Sequence, residues 1–224
     1  MHGESTPRMM TRKVRTARGR KISSKQWIER QINDPYVEQA RIRGYRSRSA
    51  FKLIEIDEKF NLIKTGDTVV DLGCAPGGWV QAALKNGARR VVGIDKRPVD
   101  PVPGSDIVKF DFMLDEAPDR LIHMLGGDAP DVVLSDLAAD TTGHRKTDHL
   151  KTVALVEAAA GFAMKALKPG GHFATKVFQG GAGKKLLDGL RARFEIVRHF
   201  KPRSSRSESP EIYLVAKGFK PPRE

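Results

Sequence analysis

The apolar positions of this chain follow two rhythms. From residue 68 onward, short apolar runs alternate with longer stretches whose apolar residues recur every three to four positions. The runs at 68–72, 90–94, 107–110, 131–135, 171–178, 194–200 and 211–217 predict strands, and the stretches at 78–86, 115–125, 148–167 and 181–193 predict helices. Lys168-Pro169-Gly170-Gly171 is a stop-and-turn signal between a helix and a strand. This alternation predicts an α/β fold, a doubly wound and mostly parallel seven-stranded sheet with helices on both faces. Residues 201–210 are rich in Pro, Ser and Arg and leave no room for a helix, so the last two strands are expected as an antiparallel pair at one end.

Upstream the pattern is weaker. Residues 49–60 form an amphipathic helix with Phe51, Leu53, Ile54, Ile56 and Phe60 as its stripe, and 26–43 is weakly helical. Residues 1–24 are polar, basic and without period, which predicts a disordered arm ahead of a single domain over 25–224. No internal repeat is visible.

Charge sharpens this picture. The chain carries a net +13, of which +10 falls in residues 1–52, with Arg41, Arg43, Arg46 and Arg48 clustered around Gly44 and Tyr45. Such asymmetry points to a polyanionic partner, the plainer alternative being a solubilising tail. No apolar run approaches the ~18–20 residues of a membrane span, and none near the N-terminus reads as a secretory signal. Cys74 is the sole cysteine, which excludes an internal disulfide and a cysteine-built metal site and fits a reducing, cytoplasmic setting.

The most informative segment is Asp71-Leu72-Gly73-Cys74-Ala75-Pro76-Gly77-Gly78-Trp79, a glycine-rich turn between a predicted strand and a predicted helix. That layout places a nucleotide-like ligand at the carboxyl end of a strand, over a helix N-terminus. Its spacing, G-x-x-x-G-G, fails the dinucleotide fingerprint, which disfavours an NAD-dependent oxidoreductase, and it lacks the Lys-Ser/Thr of a P-loop. A turn without phosphate ligands, followed by acids, suits a nucleoside with a small charged tail, and S-adenosylmethionine is the candidate.

Acids recur where predicted strands end. Asp71 and Asp95 close the first two, Asp111 follows the third, and Asp136 closes the fourth. Asp95, 24 residues after Asp71, is placed to accept from ribose hydroxyls, and Asp111 from an exocyclic amine. Any one alone could be a helix cap or turn residue. Lys176 interrupts the apolar run Phe173-Ala174-Thr175-Lys176-Val177-Phe178, which is costly unless it reaches a cleft or partner. Lys52 alone reads as an ordinary lysine on the polar face of its helix, and Glu211 as an edge-strand charge.

These segments resemble the FtsJ family of S-adenosylmethionine-dependent RNA ribose 2′-O-methyltransferases. The resemblance runs from about residue 23 to 220 and rests on Asp34-Pro35-Tyr36-Val37, Arg46-Ser47-Arg48-Ser49-Ala50-Phe51-Lys52-Leu53, the 71–79 turn, Ser135-Asp136-Leu137-Ala138, Lys176-Val177-Phe178-Gln179-Gly180, and Ser204-Ser205-Arg206 with Glu211-Ile212-Tyr213. Ala139 stands where the family often has Pro, and Cys74 where Ala is frequent; neither replaces a charged group. The resemblance implies a Rossmann-like methyltransferase fold, a catalytic set of Lys52, Asp136, Lys176 and Glu211, and no metal. It implies S-adenosylmethionine held by Gly77, Trp79, Asp95, Asp111 and Asp136, although Trp79 could equally pack the turn onto its helix. The implied substrate is ribosomal RNA within the large ribosomal subunit, specifically a uridine of the A-loop.

A ribose hydroxyl is a poor nucleophile, so the protein must align it and assist loss of its proton. Lys176 is expected nearest that oxygen, either neutral as a base or charged as a steering group that stabilises developing alkoxide. The segments 41–52 and 201–206 are expected to flank the site and grip phosphates. Transfer RNA, an mRNA cap, or a non-enzymatic RNA-binding assembly role are the competing readings, and a monomer is expected.

Overall fold

The computed structural model describes residues 28–29, 31–140, 143–179 and 183–222. The arm expected over 1–24, Gly180, and the start of the helix expected from residue 181 lie outside them.

Among the described residues seven strands form one sheet: β1 (Thr68–Leu72), β2 (Arg90–Asp95), β3 (Ser105–Lys109), β4 (Val132–Ser135), β5 (His172–Phe178), β6 (Phe194–Phe200) and β7 (Glu211–Phe219). Their order is β3-β2-β1-β4-β5-β7-β6. The first five are parallel, and β7 runs antiparallel to both β5 and β6. The antiparallel end is as the 201–210 loop predicts. Glu211 is not on an edge, however, because β7 inserts between β5 and β6.

The helices are α1 (Pro35–Ile42), α2 (Ala50–Phe60), α3 (Gly78–Lys85), α4 (Ala117–Leu125), α5 (Arg145–Ala166) and α6 (Lys184–Arg193). The weak pattern over 26–43 breaks at Asp34-Pro35. Proline is tolerated only in a first turn, and Asp34 caps the new helix by accepting from the Tyr36 amide at 3.1 Å. Pro118 likewise sits in the first turn of α4, so that helix opens at Ala117 rather than at 115. β3 lies at 105–109 rather than 107–110: it is an edge strand with half-exposed residues, and its apolar pattern marks its bounds poorly.

The sheet separates two apolar layers. Val70, Leu72, Val92 and Ile94 face α4, α5 and α6, while Val69, Val91, Val132 and Val215 face α2 and α3. Both faces of the central strands are therefore covered, and all five residues of β1 are buried. The strand order reverses between β1 and β4. In an open α/β sheet that switch point opens a crevice at the carboxyl ends of the strands.

Candidate active site

The crevice is a cavity of about 480 Å³, lined among others by Gly73, Asp95, Asp111, Phe112, Asp136 and Lys176. Gly73 has φ +83 and lies so close to Leu137 that a Cβ would come within 3.0 Å of its backbone, so this wall is backbone by necessity. Asp136 follows β4, and its amide donates to the Leu72 carbonyl at 3.0 Å, which fixes the acid beside the end of β1.

Of the residues expected at a cofactor, Asp95, Asp111 and Asp136 line this cavity, whereas Gly77 and Trp79 lie outside the lining. Asp95 also holds the glycine-rich turn: Oδ2 accepts from the Ala75 amide at 2.9 Å and Oδ1 from the Arg97 amide at 2.8 Å. Asp111 accepts from the Met113 amide at 2.9 Å. Gly77 precedes α3 with φ 107 and backs onto the Arg46 guanidinium. Arg46 donates to the carbonyls of Pro76, Asp100 and Pro101, so it clamps the turn. Trp79 is 2% exposed, donates from Nε1 to the Ser49 carbonyl at 2.8 Å, and packs on Tyr213 with ring centroids 5.6 Å apart. Its side chain packs the turn against the segment before α2.

A second cavity, of about 440 Å³, is lined by Gln31, Arg48, Lys52, Arg206 and Glu211 among others. The four residues Lys52, Asp136, Lys176 and Glu211 are divided between the two cavities, the middle pair facing the first and the outer pair the second. Lys176, 9% exposed on β5, lies 3.2 Å from Asp136 Oδ1 and donates to the Asp136 carbonyl at 3.0 Å. Lys52 is an ion-pair partner of Glu211, not a lysine on a polar face. Its helix turns that position toward the start of β7.

Tyr213 joins the two pairs. It is fully buried, donates to Asp136 Oδ1 at 2.9 Å, and has its hydroxyl 3.3 Å from Glu211 Oε1. The sequence reading passes over it as a site residue. The signal was present: in a strand, residues two apart share a face, so Tyr213 points where Glu211 points.

Electrostatics follow from this packing. Burial alone would raise the Asp136 carboxyl, but Lys176, Lys52 and the Tyr213 hydroxyl outweigh it and hold the group below its ordinary range. Burial, then the charges of Asp136 and Glu211, push the Tyr213 phenol well up. Asp71 is raised well above an ordinary carboxyl, first by complete burial and then by Asp136 and Asp95. Neither of its oxygens has a hydrogen-bond partner among the described residues. Burial, with Asp71 and Asp95, likewise pushes the Cys74 thiol up, so it is inert at neutral pH.

The basic segments divide in the same way. Arg48, Lys52 and Arg206 meet at the second cavity. Arg41 pairs with Glu38 on its own helix, and Lys201 donates to the carbonyls of Ser207 and Ser209. With Arg46 given to the turn, only part of the basic cluster is placed to meet a polyanion.

Among the described residues, no group of three or more His, Cys, Asp or Glu is placed to hold a metal ion, and no helix is long and apolar enough to cross a membrane.

A protein of Granulibacter bethesdensis named ribosomal RNA large subunit methyltransferase E is 55% identical over 215 residues, covering 96% of this chain and 93% of that protein. One of the same name from Maricaulis maris is 56% identical over 213 residues, covering 95% and 76%. A solved structure from Plasmodium falciparum, described as that of a ribosomal RNA methyltransferase, superimposes with TM-score 0.69 at 33% identity, covering 78% of this chain and 98% of that one. The family model of the FtsJ-like methyltransferases matches residues 45–219, a span that includes the glycine-rich turn, both cavities' acids and lysines, and the last strand. The chain belongs to the FtsJ-like methyltransferase family.

Proposed function

We propose that the protein methylates a ribose 2′-hydroxyl of large-subunit ribosomal RNA, at a uridine of the A-loop, with S-adenosylmethionine as donor. The observation that carries this reading is the partition of the four charged residues between two cavities. One cavity suits a nucleoside, and the other is rimmed by arginines.

The first cavity fits the donor. Its size lies within the ordinary range of ligand pockets, its walls combine the acids Asp95 and Asp111 with the apolar Phe112 and Leu155, and its floor is bare backbone at Gly73. Asp95 would accept from the ribose and Asp111 from the adenine amine. When bound, S-adenosylmethionine supplies an activated methyl group.

The chain's own residues do the rest. Lys176 holds the attacking hydroxyl. Held beside Asp136, it steers the oxygen and stabilises the alkoxide character that develops. Asp136 holds the Lys176 side chain in place, and Tyr213 holds Asp136. Lys52 and Glu211 orient the ribose from the second cavity, and Arg48 and Arg206 meet the neighbouring phosphates. The hydroxyl proton passes to solvent. The names carried by the relatives favour ribosomal RNA over transfer RNA or a cap.

The test is methyl transfer from labelled S-adenosylmethionine to large ribosomal subunits and to bulk transfer RNA, with Lys176→Ala beside the wild type. Label in large-subunit RNA, resistant to alkaline cleavage at one site and reduced at least about a hundredfold in the variant, is the expected result. Label only in transfer RNA overturns the substrate. No label in either overturns the activity.

A further inference from the structure

Arg48 and Arg206 lie 28% exposed or less at the second cavity, two cations drawn from opposite ends of the chain. What holds them together is a third residue that does not line that cavity. Asp34 is 7% exposed, and its Oδ1 caps α1. Its Oδ2 takes an ion pair from Arg48, and accepts from Arg206 through Nη2 at 3.3 Å and Nε at 3.4 Å. Arg48 in turn donates to the Ser204 carbonyl, close to Arg206 in the β6–β7 loop. One carboxylate thus lets two like charges approach that would otherwise repel, and leaves a net positive charge with fixed direction beside Lys52 and Glu211.

We infer that Asp34 is a positioning residue for the acceptor RNA, acting through Arg48 and Arg206 without touching the substrate. This rests on the reading of the second cavity as the RNA side of the site. A guanidinium grips a phosphate through a planar fork, so its orientation matters as much as its charge. Asp34 fixes that orientation for both arginines at once.

The test is Asp34→Asn, which keeps a side chain able to cap a helix and removes the charge. With labelled S-adenosylmethionine at saturation and large-subunit RNA varied, KM for RNA rises about tenfold. The kcat stays within about twofold, and binding of S-adenosylmethionine alone is unchanged. The sign is diagnostic. The variant is one charge more positive, so a purely electrostatic role tightens RNA binding and steepens its salt dependence. An unchanged or lower KM, or a loss confined to kcat, overturns the inference.

If Asp34→Asn does not fold, Asp34→Ser, which keeps a capping oxygen and lacks the charge, carries the same test: a matching rise in KM is expected, and an unmoved KM overturns it. Absence of transfer by the wild type removes the underlying reading and this inference with it. Normal transfer with an unmoved KM in the variants removes the inference alone.

Discussion

Lys52 and Glu211 stand 159 residues apart and form one ion pair, on the same Glu211 oxygen that lies 3.3 Å from the Tyr213 hydroxyl. The other neighbour of that hydroxyl is Asp136, the partner of Lys176. The two ion pairs of the site are therefore coupled through one phenol rather than standing side by side.

Lys52→Met and Glu211→Gln should each cost about 2 kcal/mol, because each leaves a largely buried charge without its partner. The double variant should cost about 1 kcal/mol less than the two single losses together. Urea unfolding of the four proteins measures this. Strictly additive losses would show that water, not the partner, satisfies each charge.

Tyr213→Phe keeps the packing on Trp79 and removes only the hydroxyl. Stability should fall by about 1 kcal/mol, and methyl transfer about tenfold, as Asp136 loses a donor that helps hold its carboxyl low. The pH dependence of transfer separates this from a packing defect. The acid limb should move to higher pH in the variant, and an unmoved limb with lower activity would refute the coupling.

Asp71 gives stability a pH dependence of known sign. Its carboxyl keeps its proton in the folded state at pH values where the unfolded chain has lost it. The unfolded state then binds fewer protons, so stability declines as pH rises from the ordinary carboxylate range toward the raised folded-state value. Asp136 has the opposite sign: its contribution is present above the ordinary range and is lost as pH falls through its lowered folded-state value. Asp71→Asn should raise Tm at pH 8 relative to wild type and flatten the decline between pH 5 and 8 by about 1 kcal/mol or more. Thermal melts across that range check it, and parallel curves for the two proteins would contradict it.

Gly77→Ala should destabilise by about 1–3 kcal/mol. The position has φ +107, and a Cβ would come within 2.9 Å of an Arg46 guanidinium that three carbonyls already hold in place. Binding of S-adenosylmethionine, followed by calorimetry, should weaken with it, because the turn that Arg46 clamps also carries Ala75 into the first cavity. A variant with unchanged Tm would show that Arg46 swings aside freely.

The sheet is readable in the sequence because the central strands are covered on both faces, so their apolar runs are nearly unbroken. Lys176 is readable for the same reason, as a charge where none belongs. Lys52 is not, since an amphipathic helix has an ordinary place for a lysine and only the fold shows β7 facing it. Asp34 and Glu55 are the least legible. Asp34 answers Arg206 across 172 residues, and Glu55 accepts from the Ser204 amide across 149. No local pattern encodes such partners. The basic cluster over 41–48 misleads in part, because Arg46 serves backbone carbonyls and not a polyanion.

The insertion of β7 between β5 and β6 sets the sheet order against the order of synthesis. Synthesis runs from the N-terminus, so β6 emerges before β7, its partner in the sheet among the described residues, and Glu211 and Tyr213 emerge after every other residue of the site. A nascent chain that has released the residues of the first cavity still lacks Glu211 of the second. The strand that fills the gap in the sheet is thus also the strand that brings Glu211 to Lys52 and Tyr213 to Asp136.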